Sequence, residues 1–230
     1  MNRDLDWDGC HNVRDLGGLG DIRPGALVRA DSLDKLTAKG WRQAHAYGIR
    51  TVIDLRNEDE YGTDTAPRPD GITTLRVPID GIEDREFWDK WWGGWEYGTP
   101  VYYRPFLAHF PERVAVVVTA LVEAGEGGIA FHCAAGRDRT GLMALVVLAA
   151  LGVEPEATAA DYALGYARAQ VESADCDAGL AERGLTPHSA ALEVLDWFKA
   201  EDYLRVAGIT DEQLTALRLR ARTAQTSTST

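Results

Sequence analysis

The feature that most constrains this chain lies at residues 128–141, where an apolar run leads through a short loop into a second apolar run. Residues 129–131 have the composition of a buried strand, and residues 142–151 are apolar on every side, as expected of a core helix. Between the two runs, Cys133 and Arg139 enclose a gap of small and charged residues. This order predicts a strand, a tight loop and the first turn of a helix.

A loop that closes onto a helix N-terminus can bind an anion, because several backbone N–H groups point inward and the helix dipole favours negative charge. The planar guanidinium of Arg139 can bind two phosphate oxygens. Cys133 would lie at the base of this cradle, where positive charge favours the nucleophilic thiolate over the thiol. The residues that leave room for a phosphate are small: Ala134, Ala135 and Gly136.

The motif His132-Cys133-x5-Arg139-Thr140-Gly141 resembles the active-site loop of the protein tyrosine phosphatase superfamily. With an aspartate directly before the arginine, as Asp138 is here, it resembles the atypical bacterial tyrosine and lipid phosphatase branch. The resemblance covers about residues 12–151. It implies an α/β fold whose central, mixed, largely parallel sheet is flanked by helices. We expect one domain over residues 1–223 with a lid insertion at about 81–106, a helical C-terminal part and a flexible tail at 224–230.

The chemistry expected of such a loop has two steps. The Cys133 thiolate displaces the leaving alcohol, and water then hydrolyses the phosphocysteine. No metal or other cofactor is needed, because the loop N–H groups and Arg139 supply the positive charge. Thr140 can donate a hydrogen bond to Cys133, and His132 either orients the loop or is a satisfied buried histidine. Arg137 either adds charge at the rim for a second phosphate or is an ordinary surface arginine.

The leaving oxygen also needs a proton donor. Common members of the superfamily take the proton from an aspartate on a mobile loop upstream of the cysteine. This chain has no aspartate between Asp89 and Asp138, which favours Asp138 as general acid and later as general base. The alternatives are aspartates that a closing lid would bring in: Asp80, Asp84 and Asp89.

Two further segments supply supporting candidates. Residues 12–18 and 25–33 resemble the N-terminal motif of the same branch. Arg14 and Asp15 form either a salt bridge within a turn or a layer behind the phosphate loop. Asp54 and Arg56 follow a predicted buried strand, at the carboxyl end where ligands bind in α/β sheets. They are candidates for the rim of the site, the alternative being a charged strand end that faces solvent.

The stretch at residues 87–106 is unusually aromatic, and the pair of glycines at 93 and 94 prevents one long helix through it. The favoured and more specific interpretation is an aromatic lid that closes over a ligand and excludes water. The alternative is a surface layer or a dimer contact. Substrate choice is expected to reside here, since the loop recognises only a phosphoryl group. The candidate lid and substrate residues are four of the seven tryptophans: Trp88, Trp91, Trp92 and Trp95.

Composition limits the binding partners and the cellular location expected of this protein. A net charge of −12 disfavours binding to nucleic acid or to an anionic membrane surface. The three cysteines are odd in number and widely spaced, which argues against a disulfide framework or a zinc site and suits a reducing compartment. The N-terminus lacks the apolar region of a signal peptide, and no apolar run is long enough to span a bilayer. We therefore expect a cytoplasmic protein without integral membrane association. The sequence does not define its oligomeric state.

The leading hypothesis is a metal-independent cysteine phosphatase for phosphotyrosine, with phosphoserine, phosphothreonine or phosphoinositide as further candidate substrates. Its partner would be a phosphorylated protein or a small phosphomonoester. The second hypothesis is a phosphatase for a sugar, inositol or nucleoside phosphate. Rhodanese-like sulfur transfer also uses a cysteine–anion loop, but Arg139-Thr140-Gly141 fits a phosphatase better. The non-enzymatic alternative is a module that binds phospho-ligands, which would not require the Cys133 thiol.

Overall fold

A computed structural model describes residues 2–222, and the predicted tail at 224–230 lies outside them. Five strands form one sheet in the order β1-β2-β5-β3-β4. β1 pairs antiparallel with β2, and the other neighbours are parallel. The predicted mixed, largely parallel sheet is therefore confirmed. The strands are β1 (Arg14–Asp15), β2 (Leu27–Ala30), β3 (Ile49–Asp54), β4 (Thr73–Arg76) and β5 (Gly128–His132).

Helices flank the sheet and form the whole C-terminal part. Threonine side chains cap two of them: Thr37 accepts hydrogen bonds at the start of α1, and Thr186 accepts one at the start of α8. Short 3₁₀ turns occupy Leu33–Lys35, Glu58–Glu60, Trp95–Gly98 and Pro100–Tyr102. The helices are α1 (Ala38–Ala46), α2 (Arg85–Trp91), α3 (Tyr103–His109), α4 (Pro111–Glu123), α5 (Asp138–Ala150), α6 (Pro155–Arg168), α7 (Ala174–Glu182), α8 (Pro187–Trp197), α9 (Ala200–Val206) and α10 (Asp211–Arg222).

β5 and α5 form the centre of the molecule. β5 lies between β2 and β3, and all five of its residues are buried. α5 is buried along nearly its whole length, which explains why its sequence is apolar on every side. Because a parallel sheet places ligand sites at the carboxyl ends of its strands, the loop between β5 and α5 opens where a site is expected.

From the sequence alone we also predict helices over about 155–173 and 189–200, and both differ from those observed. The helix expected at 155–173 ends at Arg168, and the separate helix α7 follows it. The hydroxyl of Tyr166 donates to Asp177 at 2.8 Å, which ties α7 back onto α6. The helix expected at 189–200 ends earlier because Phe198 takes an extended conformation that buries its ring, and α9 starts after it.

The aromatic stretch has a double role. Its first part joins the hydrophobic core, since the ring of Trp88 is 4 % exposed and packs against Phe87, Phe106 and Phe110. A pure lid is therefore too simple a description of this segment. Trp92, by contrast, is 60 % exposed.

Among the described residues, no single helix is long and apolar enough to cross a membrane. Two consecutive helices, Pro100–His109 and Pro111–Glu123, are together long and apolar enough, but the chain bends by 94° between them.

Candidate active site

The loop after β5 takes the tight conformation that its small residues predict. Cys133 follows the strand directly and is buried, and α5 begins five residues later at Asp138. Gly136 has a φ of +69°, and a Cβ atom there would lie 2.8 Å from the carbonyl oxygen of Ala30. A side chain at this position would therefore be strained and would also clash with β2.

Three consecutive loop carbonyls are bonded to groups behind the loop. The carbonyl of Ala134 accepts from the backbone N–H of Ser32 at 3.0 Å. The carbonyl of Ala135 accepts from the Asn12 side chain at 3.1 Å, and that of Gly136 accepts from Arg29 at 2.7 Å. With the carbonyls held on that side, the loop N–H groups and the N-terminus of α5 are left to face an anion.

A buried ion-pair network supports these contacts. Asp161 on α6 accepts from Arg29 at 2.8 Å and from Arg14 and Arg3 at 2.9 Å each. Burial alone would raise the pKa of Asp161, but the adjacent Arg29 and Arg14 guanidiniums outweigh burial and lower it. Arg14 also donates to the side chain of Asn12 at 2.9 Å. The network thus joins β1, β2 and α6 to the back of the loop.

Arg139 is not free in this structure. Its guanidinium donates to both carboxylate oxygens of Glu60, one of them at 2.7 Å, and to Asp80 at 3.2 Å. Burial would raise the pKa of Glu60, but the ion pair with Arg139 lowers it. A phosphoryl group that binds the same Nη1 and Nη2 atoms of Arg139 therefore replaces Glu60 there.

Two aspartates that lie next to this arginine have raised pKa values. Asp80 is 1 % exposed, and burial raises its pKa to about 6 against the opposing charge of Arg139. Its Oδ1 has no hydrogen-bond partner among the described residues, while Oδ2 accepts from Asn57 at 2.9 Å. Burial also raises the pKa of Asp138, although Arg137 donates to its carboxylate at 2.9 Å and opposes the rise.

His132 and Thr140 bond to the backbone rather than to the thiol. The Nδ1 of His132 lies 3.0 Å from the carbonyl oxygen of Cys133, so Nδ1 carries the proton and donates. Burial lowers the pKa of His132 despite nearby Asp54, which keeps the imidazole neutral. The hydroxyl of Thr140, expected to bond to Cys133, instead donates to the carbonyl of Ala30 at 3.4 Å.

Asp54 and Arg56 are buried and form an ion pair with each other, so neither is a charged strand end in solvent. Arg56 donates to Asp54 at 2.8 Å and to Asp34 at 2.8 Å. Arg14 lies behind the loop, as the second of the two alternatives predicts. Asp15 does not: its carboxylate accepts from the backbone of Gly17 and Gly25 and from the hydroxyl of Tyr47.

The end of the aromatic segment packs against Arg137 of the loop. Arg137 is buried, so it is not an ordinary surface arginine: its guanidinium lies 5.3 Å from the ring centre of Tyr166. A Cβ atom on Gly98 would lie 2.6 Å from Arg137, which shows how closely the lid backbone approaches. Tyr97 stands between Trp88 and Trp92, with ring centres at 5.6 and 5.2 Å.

The other candidate lid residues are more peripheral. Trp91 is partly buried, with its ring centre 6.2 Å from that of Phe87, and Lys90 lies over it. Trp95 lies against α7, where Arg183 stacks on its ring at 4.6 Å. The alternative proton donors Asp84 and Asp89 make other contacts: Asp84 caps α2 and bonds to His109, and Asp89 pairs with Arg85 on the same helix.

Several residues at the site were not predicted from the sequence. Glu60 lies in the acidic run Glu58-Asp59-Glu60, which did not mark it as a site residue, and Asn12, Arg29 and Asp161 were not singled out either. One signal was present for Asp161, because it lies among the buried positions of a helix rich in alanine. A carboxylate on a buried helix face needs a cationic partner.

Comparison with known proteins agrees with this geometry. The tyrosine phosphatase family model matches residues 5–223. A tyrosine-protein phosphatase of Nostoc commune is 29% identical over 85% of this chain and 74% of its own length. A putative tyrosine-protein phosphatase of Cupriavidus necator is 27% identical over 89% of this chain and 84% of its own.

A triple specificity protein phosphatase of Mycobacterium tuberculosis is 27% identical over 67% of this chain and 66% of its own length. Among solved structures, the Siw14 catalytic core gives a TM-score of 0.48 at 11% identity, over 90% of this chain and 94% of that one.

The loop, the fold and the sequence matches define this chain as a phosphatase, which is a hydrolase of phosphoric monoesters. It belongs to the tyrosine phosphatase family, and the superfamily resemblance of the loop motif is confirmed.

Proposed function

We propose that the protein is a metal-independent cysteine phosphatase that hydrolyses phosphotyrosine through a phosphocysteine intermediate. The observation that carries this proposal is the position of Cys133 and Arg139 at the two ends of one loop, whose carbonyls are bonded on its rear side. The loop N–H groups and the α5 N-terminus supply the positive electrostatic environment that a transferring phosphoryl group requires.

In the first step the Cys133 thiolate attacks phosphorus, and the bond between phosphorus and the leaving oxygen breaks. Asp138 gives its proton to that oxygen, and its raised pKa favours the protonated form that this role requires. In the second step water attacks the phosphocysteine, Asp138 accepts a proton from that water, and Cys133 leaves as thiolate. Asp80 is the alternative proton donor, being buried beside Arg139 with a raised pKa.

In this proposal Arg139 exchanges partners during the cycle. In this structure it bonds to Glu60 and Asp80, and in the Michaelis complex it would bind two phosphoryl oxygens. Arg137 is bonded to Asp138 and covered by the lid, which suits positioning of the acid better than binding of a second phosphate. A substrate with one phosphate group is therefore better supported than a substrate with a second phosphate bound by Arg137.

The names of the relatives support phosphotyrosine as substrate, and the triple specificity in the name of the mycobacterial relative makes phosphoserine, phosphothreonine and phosphoinositides worth testing. The second candidate is a small metabolite phosphate, which the aromatic residues beside the loop could hold. The free cysteines Cys10, Cys133 and Cys176 suit a reducing location such as the cytoplasm.

The test is phosphate release in the presence of a chelator, across phosphotyrosine peptides, phosphoinositides and small phosphate esters. We expect turnover with phosphotyrosine peptides and none in Cys133→Ser. Preference for a sugar or nucleoside phosphate would favour the metabolic alternative. Phosphopeptide binding without turnover of any ester would favour a binding module.

A further inference from the structure

An open groove of about 710 Å³ lies beside the proposed phosphate site. It runs between the 3₁₀ turn Glu58–Glu60 and helix α2, and Glu60 joins it to Arg139. A substrate whose phosphoryl group reaches Arg139 would therefore place its neighbouring groups in this groove. The lining includes Asp59, Glu60, Ile82, Arg85, Asp89 and Trp92.

The charges that line the groove are mostly negative. Three of its side chains are carboxylates, and the one cation is Arg85. Arg85 pairs with Asp89 at 3.3 Å, but both side chains are largely exposed, so this contact is weak and readily exchanged. Asp59 is exposed and lies on the opposite side of the groove from α2. The groove therefore favours a positively charged occupant.

The apolar part of the lining adds a second feature. Trp92 and Ile82 are 60 % and 42 % exposed, which is unusual for such large apolar side chains. The indole of Trp92 is held in place by Trp88 and Tyr97, with ring centres at 5.8 and 5.2 Å. A guanidinium binds well to such a surface, because it can stack on an indole face while donating to carboxylates.

The partner exchange at Arg139 links this groove to phosphate binding. When a phosphoryl group takes the Nη1 and Nη2 atoms of Arg139, the half-buried carboxylate of Glu60 loses its bidentate partner. A partly desolvated carboxylate without a cation is unfavourable. A cation on the substrate, placed next to the phosphorylated residue, would restore a partner for Glu60 from the groove side.

We infer that this groove is a specificity site for a basic side chain next to the phosphorylated residue, and that it prefers arginine to lysine. The inference rests on the proposed phosphatase function and names the kind of peptide which that site accepts. The carboxylates Asp59, Glu60 and Asp89 attract the cation, and Trp92 provides the surface on which a guanidinium stacks.

The test compares phosphotyrosine peptides that differ only in the residue beside the phosphotyrosine, which is Arg, Lys, Gln or Glu. We expect kcat/KM to fall in that order, with Arg about two- to fivefold above Gln at low salt, as exposed ion pairs allow. The advantage should shrink at roughly 0.5 M salt because screening weakens it. Comparing two peptides on one enzyme removes any effect of a variant on folding.

The double variant Asp59→Asn with Asp89→Asn should lose most of the preference for Arg over Gln. Trp92→Ala should reduce the preference for Arg over Lys. The matched control is Glu126→Gln, which removes one negative charge at the opposite end of β5 and should keep both ratios.

Equal kcat/KM for the Arg and Gln peptides, with p-nitrophenyl phosphate still hydrolysed, would overturn the specificity site and leave the phosphatase proposal intact. A preference that survives the double variant would overturn it as well. Failure to hydrolyse p-nitrophenyl phosphate and every peptide would overturn the proposed function, and this inference with it.

Discussion

Arg29 donates a hydrogen bond of 2.7 Å to the backbone carbonyl of Gly136, across 107 residues of sequence. The same guanidinium is paired with Asp161 at 2.8 Å, so strand β2 and helix α6 together fix the middle of the phosphate loop. The contact turns one loop carbonyl away from the side on which a phosphate would bind. The shape of the cradle is thus set by residues that never touch the substrate.

Replacing Arg29 tests whether this contact positions the loop. Arg29→Lys keeps the positive charge opposite Asp161 but loses the two donors of the planar guanidinium. The buried carbonyl of Gly136 is then left without its partner. Such a loss costs about 1–3 kcal/mol. We expect kcat/KM to fall on the order of tenfold or more, and inorganic vanadate to inhibit more weakly by a similar factor.

Arg3→Lys is the matched control, because Arg3 also pairs with Asp161 but does not contact the loop. Thermal unfolding of both variants separates loss of stability from loss of positioning. Equal effects of the two substitutions on vanadate inhibition would show that the network only stabilises the fold.

Glu60 competes with phosphate for Arg139. Glu60→Gln removes the charge that now holds the guanidinium, so inorganic phosphate should inhibit the variant several-fold more strongly than the wild type. Competitive inhibition with p-nitrophenyl phosphate as substrate measures this directly. Weaker inhibition would mean that Glu60 instead holds Arg139 in the orientation that phosphate needs.

Asp138 is the proposed proton donor. Asp138→Ala should slow hydrolysis of phosphotyrosine by about 10²–10⁴-fold, because its leaving group needs a proton. p-Nitrophenyl phosphate has a better leaving group and should be affected far less. Equal losses on both substrates would assign the proton to another group, and the same pair of assays on Asp80→Asn would then identify it.

Asp80 makes stability depend on pH. Its pKa in the folded protein is about 6, above the ordinary value of 3.8, so the fold favours the protonated form. This contribution is fully present below about pH 4 and is lost as the pH rises through 6. Relative to wild type, Asp80→Asn should therefore gain up to about 3 kcal/mol of unfolding free energy between pH 4 and pH 7.

Urea unfolding at several pH values measures the difference between the two proteins, in which the titration of other groups largely cancels. A constant difference across this range would show that Asp80 titrates at its ordinary pKa.

Local sequence patterns predicted the parts of the fold that depend on local chemistry. The apolar strand, the small loop residues and the all-apolar helix marked β5, the phosphate loop and α5. The break after Arg168 was missed, because it depends on Tyr166 bonding to Asp177 and on the burial of α7, which are tertiary contacts. Trp88 was expected in a lid, and only packing against other core rings shows that it belongs largely to the core.

The residues of the site also divide into those that a local pattern predicts and those that depend on tertiary contacts. The motif identified Cys133 and Arg139 because their spacing is local. The partners that hold them lie on other elements: Glu60 is 79 residues from Arg139, and Asn12 is 123 residues from Ala135. No local periodicity encodes such pairings, and the only hint was the presence of charged residues in buried segments.

The central claim is the phosphocysteine intermediate, and acid-quenched mass spectrometry tests it most directly. The enzyme is mixed with a phosphotyrosine peptide, quenched within one turnover and digested. The account predicts one added phosphoryl group on the peptide that contains Cys133, and neither this adduct nor turnover in Cys133→Ser. Hydrolysis of phosphotyrosine by Cys133→Ser at the wild-type rate, without the adduct, would contradict it.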